Sequence, residues 1–258
     1  MKKAGLKKVY LFFSSAVIFL LHLPFVFAKS KPTVSSATTS TAAHVAAAPP
    51  FIDPSPVIGT RASLYDSLRL GSLGLARQAC DMALRGWQYL AATGKLANQS
   101  IISIVDFSKP SSQKRLYIID VAHYKLLFHT YVAHGMNSGV EYANQFSNVP
   151  ESNKSSLGFY VTGNTYMGGN GYSLRLNGLE RGFNDNANSR DIVMHGADYV
   201  NENFIHSQGY IGRSWGCPAV APKLSKSIIN QIKNGSCLFV YANNSHYLSR
   251  SPILRRCA

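Results

Sequence analysis

The chain has 258 residues, 46% of them hydrophobic, with 26 Lys and Arg against 12 Asp and Glu for a formal net charge of +14. That length can bury an ordinary core, and only four cysteines are present (Cys80, Cys217, Cys237, Cys257), so a disulfide-stapled mini-domain is excluded. The basic residues are scattered and accompany no recognition helix or zinc-finger spacing. This argues against a nucleic-acid partner and suits an anionic surface such as a cell wall.

Residues 1–28 open with Lys2, Lys3, Lys7 and Lys8, continue as an apolar run over 9–27, and end in Val26-Phe27-Ala28. This is the layout of a secretory signal peptide, with an uncleaved membrane anchor as the alternative. Residues 29–60 are rich in Ala, Ser, Thr and Pro and read as a disordered tether, because they bury too little apolar surface to offset their ordering entropy.

Residues 61–98 predict a helical segment that docks on the larger domain C-terminal to it. A short helix over 62–70 is interrupted by "GSLG". A longer one begins at Leu75, where Ala79, Met82, Ala83, Gly86 and Leu90 form one stripe, and Gly94 stops it.

From residue 99 to 242 the pattern becomes short strands. "IISIVDF", "RLYIIDV", "YKLLFHTYVA", "GFYVTG", "YSLRL", "DIVMHG" and "CLFVYA" are separated by Gly- and Asn-rich loops. One helix over 221–234 interrupts them, with Leu224, Ile228, Ile229 and Ile232 on a shared face. The fold class is therefore mainly β with peripheral helices. Cys237 reads as a small core residue of its strand, and residues 243–258 as a basic, loose tail.

Two short stretches carry chemistry. In "GRSWGCPAV" Cys217 follows a glycine on a loop, with Arg213 nearby and a helix downstream. A reactive thiol needs such a setting, but a packed or oxidised cysteine fits the nine residues as well. In "IVMHGADY" an apolar strand delivers His195 at its end, followed by Gly196. A thiol and an imidazole brought together are what acyl transfer needs, since the base makes the thiolate and later handles the amine's proton. His134 in "VAHG" has a similar setting and reads either as a cleft residue or as a structural turn residue. His123, His129, His206 and His246 have no such setting and read as surface or packing residues. "NDNAN" reads as an Asn-rich turn, and neither a metal nor a cofactor is implied.

Over residues 62–242 the chain resembles the murein L,D-transpeptidase catalytic domain family, a branch of the YkuD-like L,D-transpeptidases. The resemblance runs through "LYDSL", "DFSKPSS", "RLYIID", "VAHG", "SNVPESNKSSLGFYVTG", "GYSLRLNGLE", "GFNDNANSRDIVMHGADYV" and "GRSWGCPAV". It implies an enzyme of the periplasm or cell wall whose partners are peptidoglycan stem peptides, a donor tetrapeptide and an acceptor amine. In that family a cysteine attacks the carbonyl of the diamino acid, expels D-alanine and forms a thioester, which the amine resolves as a 3→3 cross-link.

By motif match Cys217 is the nucleophile and His195 the base. Ser214 and Gly216 support the loop, and the backbone N–H groups of Gly216 and Cys217 form an oxyanion hole. Arg213, Trp215, His134 and Gly196 are candidates for substrate contact. The chain departs from the better-known relatives at Trp215, where they carry a second histidine, and at Pro218 and Ala219, where they carry Asn or Arg. The 22 residues from His195 to Cys217 are also a longer separation. An L,D-carboxypeptidase that resolves the same thioester with water and a non-catalytic wall-binding protein remain as alternatives.

Overall fold

The computed structural model describes residues 64–257. The expected signal segment and tether, and the first two residues of the short helix, lie outside the described residues. No helix among the described residues is long and apolar enough to cross a membrane.

Eight strands form one sheet in the order β3-β2-β1-β8-β4-β5-β6-β7. They are β1 (Ile101–Asp106), β2 (Leu116–Asp120), β3 (Lys125–Thr130), β4 (Gly158–Gly168), β5 (Gly171–Gly178), β6 (Val193–Gly196), β7 (Ala219–Val220) and β8 (Cys237–Tyr241). β1 pairs antiparallel with β2 and parallel with β8, and β8, β4, β5 and β6 run on as antiparallel neighbours. β6 and β7 pair in parallel, with His195 opposite Ala219.

The two central strands, "IISIVD" and "CLFVY", are buried at every position, so their near-continuous apolar runs replace the alternation of a half-exposed strand. Helices cover them. α1 (Arg77–Ala92) turns Ala79, Cys80, Ala83, Leu84, Gly86 and Leu90 inward. At Gly86 a Cβ atom would come within 2.0 Å of the Phe159 ring, so only glycine lets the helix approach the sheet there. The first turn of α1 has no side-chain cap of its own; Asp106 Oδ2, at the end of β1, accepts the Ala76 N–H at 3.1 Å. α3 (Pro222–Ile232), with proline at its start, buries Ile228, Ile229 and Ile232. A seven-residue α2 (Glu202–Gln208) lies between β6 and β7.

The predicted strands and both long helices are present, but two expectations need correction. The short helix over 62–70 is helical only over 64–67 among the described residues and continues as turns to Gly74. The C-terminal segment is not a loose tail. It forms α4 (Ser245–Arg250) and a 3-10 turn (Leu254–Arg256), and buries Tyr247, Ile253 and Leu254. The buried Glu180 carboxylate gathers this segment: it accepts from Tyr247 Oη at 2.8 Å, from Ser251 Oγ and from the Ile253 N–H at 3.4 Å, and also from the Phe159 N–H at 2.8 Å. A buried carboxylate needs such donors, and a tail of low apolar periodicity supplies them. Cys237 is fully buried in β8 as expected, and Cys80, Cys217 and Cys237 are free thiols.

Candidate active site

The parallel β6–β7 pairing brings the end of the histidine strand beside the loop that carries the cysteine. His195 and Cys217 line one open groove of about 900 Å³, together with Glu151, Asp191, Asp198, Tyr199, Arg190 and Arg213. Cys217 is 9% exposed. Its sulfur accepts from the Val193 N–H at 3.5 Å and donates to the Asp191 carbonyl at 3.6 Å. Asp191 adopts a left-handed conformation (φ 51), uncommon for a residue with a side chain. Burial pushes the thiol pKa up, while the Val193 N–H and the Arg190 guanidinium oppose that rise.

His195 is also largely buried, and burial holds its pKa below the ordinary imidazole value. Its Nδ1 lies 2.9 Å from the Gly196 carbonyl, which can only accept, so Nδ1 carries the proton and Nε2 is left as the acceptor. No hydrogen bond joins His195 to Cys217 in this resting arrangement; the thiol is turned to Asp191. Catalytic hydrogen bonds are often loose before substrate binds.

The loop is built around Ser214. Its hydroxyl donates to the Cys217 carbonyl at 2.6 Å and accepts from the Gly216 N–H at 3.1 Å. Its backbone bonds to the His134 carbonyl (2.9 Å) and the Met136 N–H (2.7 Å). Gly216 is required as glycine. Its φ is +122°, and a Cβ there would lie 2.8 Å from the Lys154 carbonyl oxygen. The expected use of the Gly216 N–H in an oxyanion hole is therefore corrected, because Ser214 already holds that donor. The Cys217 N–H makes no hydrogen bond among the described residues.

The family described as the L,D-transpeptidase catalytic domain matches residues 72–241, about two thirds of the chain. The chain belongs to the YkuD-like L,D-transpeptidase catalytic-domain family. A comparison with curated proteins finds no match. Among solved structures, it is similar to an L,D-transpeptidase from Mycobacterium smegmatis at 13% identity and TM-score 0.35, over 55% of this chain and 59% of that one. It is similar to one from Stackebrandtia nassauensis at 17% identity and TM-score 0.35, over 64% of this chain and 67% of that one. L,D-transpeptidase 1 of Mycobacterium tuberculosis matches at 11% identity and TM-score 0.32, over 55% and 62%. This chain thus spans about 59% of the first of these relatives, and family membership rests on the 72–241 match.

In this L,D-transpeptidase domain the other expected site residues separate into two groups. Arg213 and Trp215 line the groove with Gly196. Arg213 is anchored by Nη1 to the Met136 and Gly139 carbonyls at 3.3 and 3.1 Å, and Trp215 stands 78% exposed at the rim. Gly196 contributes the carbonyl that orients His195.

His134 does not line the groove. It is fully buried, accepts from Arg115 Nη2 at 2.7 Å and faces the Gly139 carbonyl through Nε2 at 3.2 Å. Burial first, then the Arg115 charge, pulls its pKa down to about 3, so the ring is neutral and structural. Substrate contact by His134 is corrected accordingly. Tyr166 and Tyr172 also lie away from the groove: Tyr166 stacks under Arg175, and Tyr172 donates to Asn230 at 2.9 Å.

Four residues near the thiol escaped sequence reasoning: Ser155, Arg190, Asp191 and Tyr199. Ser155 Oγ donates to the Gly216 carbonyl at 3.1 Å and accepts from the Gly135 N–H at 3.0 Å, so it ties the Gly135 loop to the Gly216–Cys217 turn. "SNVPESNKSS" belongs to a block of the family resemblance, but no spacing rule marks which serine lies under a distant glycine.

Proposed function

We propose that this chain is an exported, cysteine-dependent L,D-transpeptidase that acylates itself on a peptidoglycan stem tetrapeptide, releases D-alanine and transfers the acyl group to an amine on a neighbouring stem. One arrangement carries the reading. Cys217 and His195 share an open groove, and Nδ1 of His195 is tied to its own backbone so that Nε2 is the ring's proton acceptor.

In the first half-reaction the thiol leaves the Asp191 carbonyl and passes its proton to His195 Nε2. The sulfur then adds to the carbonyl carbon of the diamino acid, and the negative charge collects on the carbonyl oxygen. The Cys217 N–H is a donor available to that oxygen. Collapse expels D-alanine, whose nitrogen takes the proton back from His195, and a thioester remains. In the second half-reaction the acceptor amine adds to the thioester, His195 removes its proton, and the Cys217 sulfur leaves as the 3→3 amide forms and takes that proton back from His195. Glu151, Asp191 and Asp198 set against Arg190 and Arg213 make the groove's charge mixed, which suits stem peptides that carry both ammonium and carboxylate groups.

The apolar, lysine-led first 28 residues and the overall positive charge support action outside the cytoplasm, on an anionic wall. The test is incubation of the purified protein with disaccharide-tetrapeptide, with Cys217→Ala alongside, and mass spectrometry of the products. A Cys217-dependent dimer lacking one D-alanine is the expected result. Tripeptide monomer alone would make the enzyme an L,D-carboxypeptidase, and unchanged substrate would leave a wall-binding protein.

A further inference from the structure

The 147–156 segment forms one side of the groove, yet it contains no secondary structure beyond turns and bends. Asn137, Ser138 and Asn186 each bond to it, and Arg190 makes more of these bonds than any other side chain. Arg190 Nη1 donates to the Ser147 carbonyl (2.8 Å) and Ser156 Oγ (2.6 Å), and Nη2 donates to Ser152 Oγ (3.1 Å) and the Lys154 carbonyl (2.8 Å). All four acceptors are uncharged. Arg190 forms no ion pair with a carboxylate among the described residues, where the ion pairs are Arg77–Asp66 and His123–Asp120.

Both ends of this clamp meet the nucleophile. The Lys154 carbonyl that Arg190 holds is the atom that packs against Gly216, immediately before Cys217. Arg190 also directly precedes Asp191, whose carbonyl accepts the Cys217 thiol. A half-buried guanidinium without a carboxylate is costly unless other groups face it; the ionisable groups beside Arg190 are the Tyr160 phenol first and then the Cys217 sulfur, and of the two only the sulfur lies in the groove. Besides Arg190, the titratable groups facing that sulfur are His195 from β6, Asp191 from the preceding turn and Tyr199 from the segment after β6.

We propose that Arg190 is the positioning residue of the reactive cysteine: it clamps the 147–156 segment under the Gly216–Cys217 turn and supplies the fixed positive charge that faces the thiolate. The inference deepens the cysteine-enzyme reading of this site and is testable without peptidoglycan.

The experiment is the pH dependence of Cys217 alkylation by iodoacetamide, followed by mass spectrometry of the Cys217 peptide in the folded full chain. Wild type, Arg190→Gln and Arg190→Lys are compared, with circular dichroism as the check of folding. Arg190→Gln removes the charge, and the alkylation midpoint is expected to rise by about one pH unit, slowing the reaction at neutral pH by about three- to tenfold. Arg190→Lys keeps the charge and is expected to restore most of that midpoint while failing to restore the four-bond clamp. A folded Arg190→Gln protein with the wild-type profile would overturn the proposal. Should Arg190→Gln fail to fold, the double variant Ser152→Ala, Ser156→Ala loosens the clamp more gently. A smaller shift in the same direction supports the proposal there, and an unmoved profile overturns it. A shifted profile in a protein that releases no D-alanine from stem peptides would sustain the role of Arg190 while removing the transpeptidase reading.

Discussion

Two histidines of this chain arrive in nearly the same local sequence, Ala133-His134-Gly135 and Met194-His195-Gly196, and both lie against the Cys217 loop. The His134 carbonyl accepts the Ser214 N–H, and His195 pairs with Ala219 across β6 and β7. Their side chains nevertheless have opposite fates. His134 turns into the core, where Arg115 donates to one ring nitrogen and the Gly139 carbonyl takes the other. His195 turns to the groove with one nitrogen held by Gly196 and the other left to accept. What separates a structural imidazole from a candidate base is therefore not the His-Gly dipeptide. It is whether the tertiary neighbours occupy both nitrogens or only one.

The sharpest way to break the comparison is at the partner of His195. Cys217→Ser should reduce D-alanine release by on the order of 10⁴-fold or more, because a hydroxyl is far harder to deprotonate than a thiol. Release assayed by coupled detection at near wild-type rates would remove the cysteine from the chemistry. Next, His195→Gln should lower turnover by about 10²–10⁴-fold while the thermal midpoint barely moves. His134→Gln should do the reverse. If the His134 variant lost turnover at unchanged stability, the two roles would have been assigned the wrong way round.

The pH profile sharpens the same contrast. Burial lowers the His195 pKa, so the neutral base persists to lower pH than an ordinary imidazole allows. The acid limb of kcat/KM should therefore fall below about pH 6.5. A limb at or above that value would show that substrate-free burial does not govern the base.

The smallest effect concerns stability alone. His134→Leu leaves Arg115 without one of its acceptors and should cost about 1–3 kcal/mol in urea denaturation. In the wild type the folded pKa of His134 is about 3, below its unfolded value. The unfolded chain then binds more protons between those two values. Stability is fully present above about pH 6.5 and drains away as pH falls toward 3. The Leu variant, which has no ring to protonate, should lose that part of the acid sensitivity.

Much of the architecture was legible from the residues. Runs such as "IISIVDF" and "CLFVYA" are apolar enough to identify fully buried strands, and the stripe Ala79–Ala83–Gly86–Leu90 identifies α1, because periodicity reports which face is buried. The two-residue β7 was too short to show any period, although it is the strand that registers the cysteine loop against His195. The C-terminal segment was misread for a related reason. Its docking depends on Glu180, more than sixty residues earlier, offering acceptors to Tyr247 and Ser251. Hydrogen bonds to a distant carboxylate leave no periodic trace.

The site was legible in its chemistry and illegible in its support. Cys217 and His195 stood out because each is a reactive residue beside a glycine, one on a loop and one at a strand end, and because the surrounding blocks resemble one family. Gly216 looked like an oxyanion donor until Ser214 was found holding its N–H. Arg190 looked like one of many scattered cations, and only its four uncharged acceptors and its place beside the thiol distinguish it. The sequence by itself determined the strands and the two long helices, since local pattern is enough for these, and the candidates for nucleophile and base, which the family resemblance singled out. Only the tertiary structure decided which histidine keeps a nitrogen open, which glycine N–H is already held and which arginine faces the sulfur. Those depend on atoms brought together from segments far apart in the chain, and no local pattern encodes such neighbours.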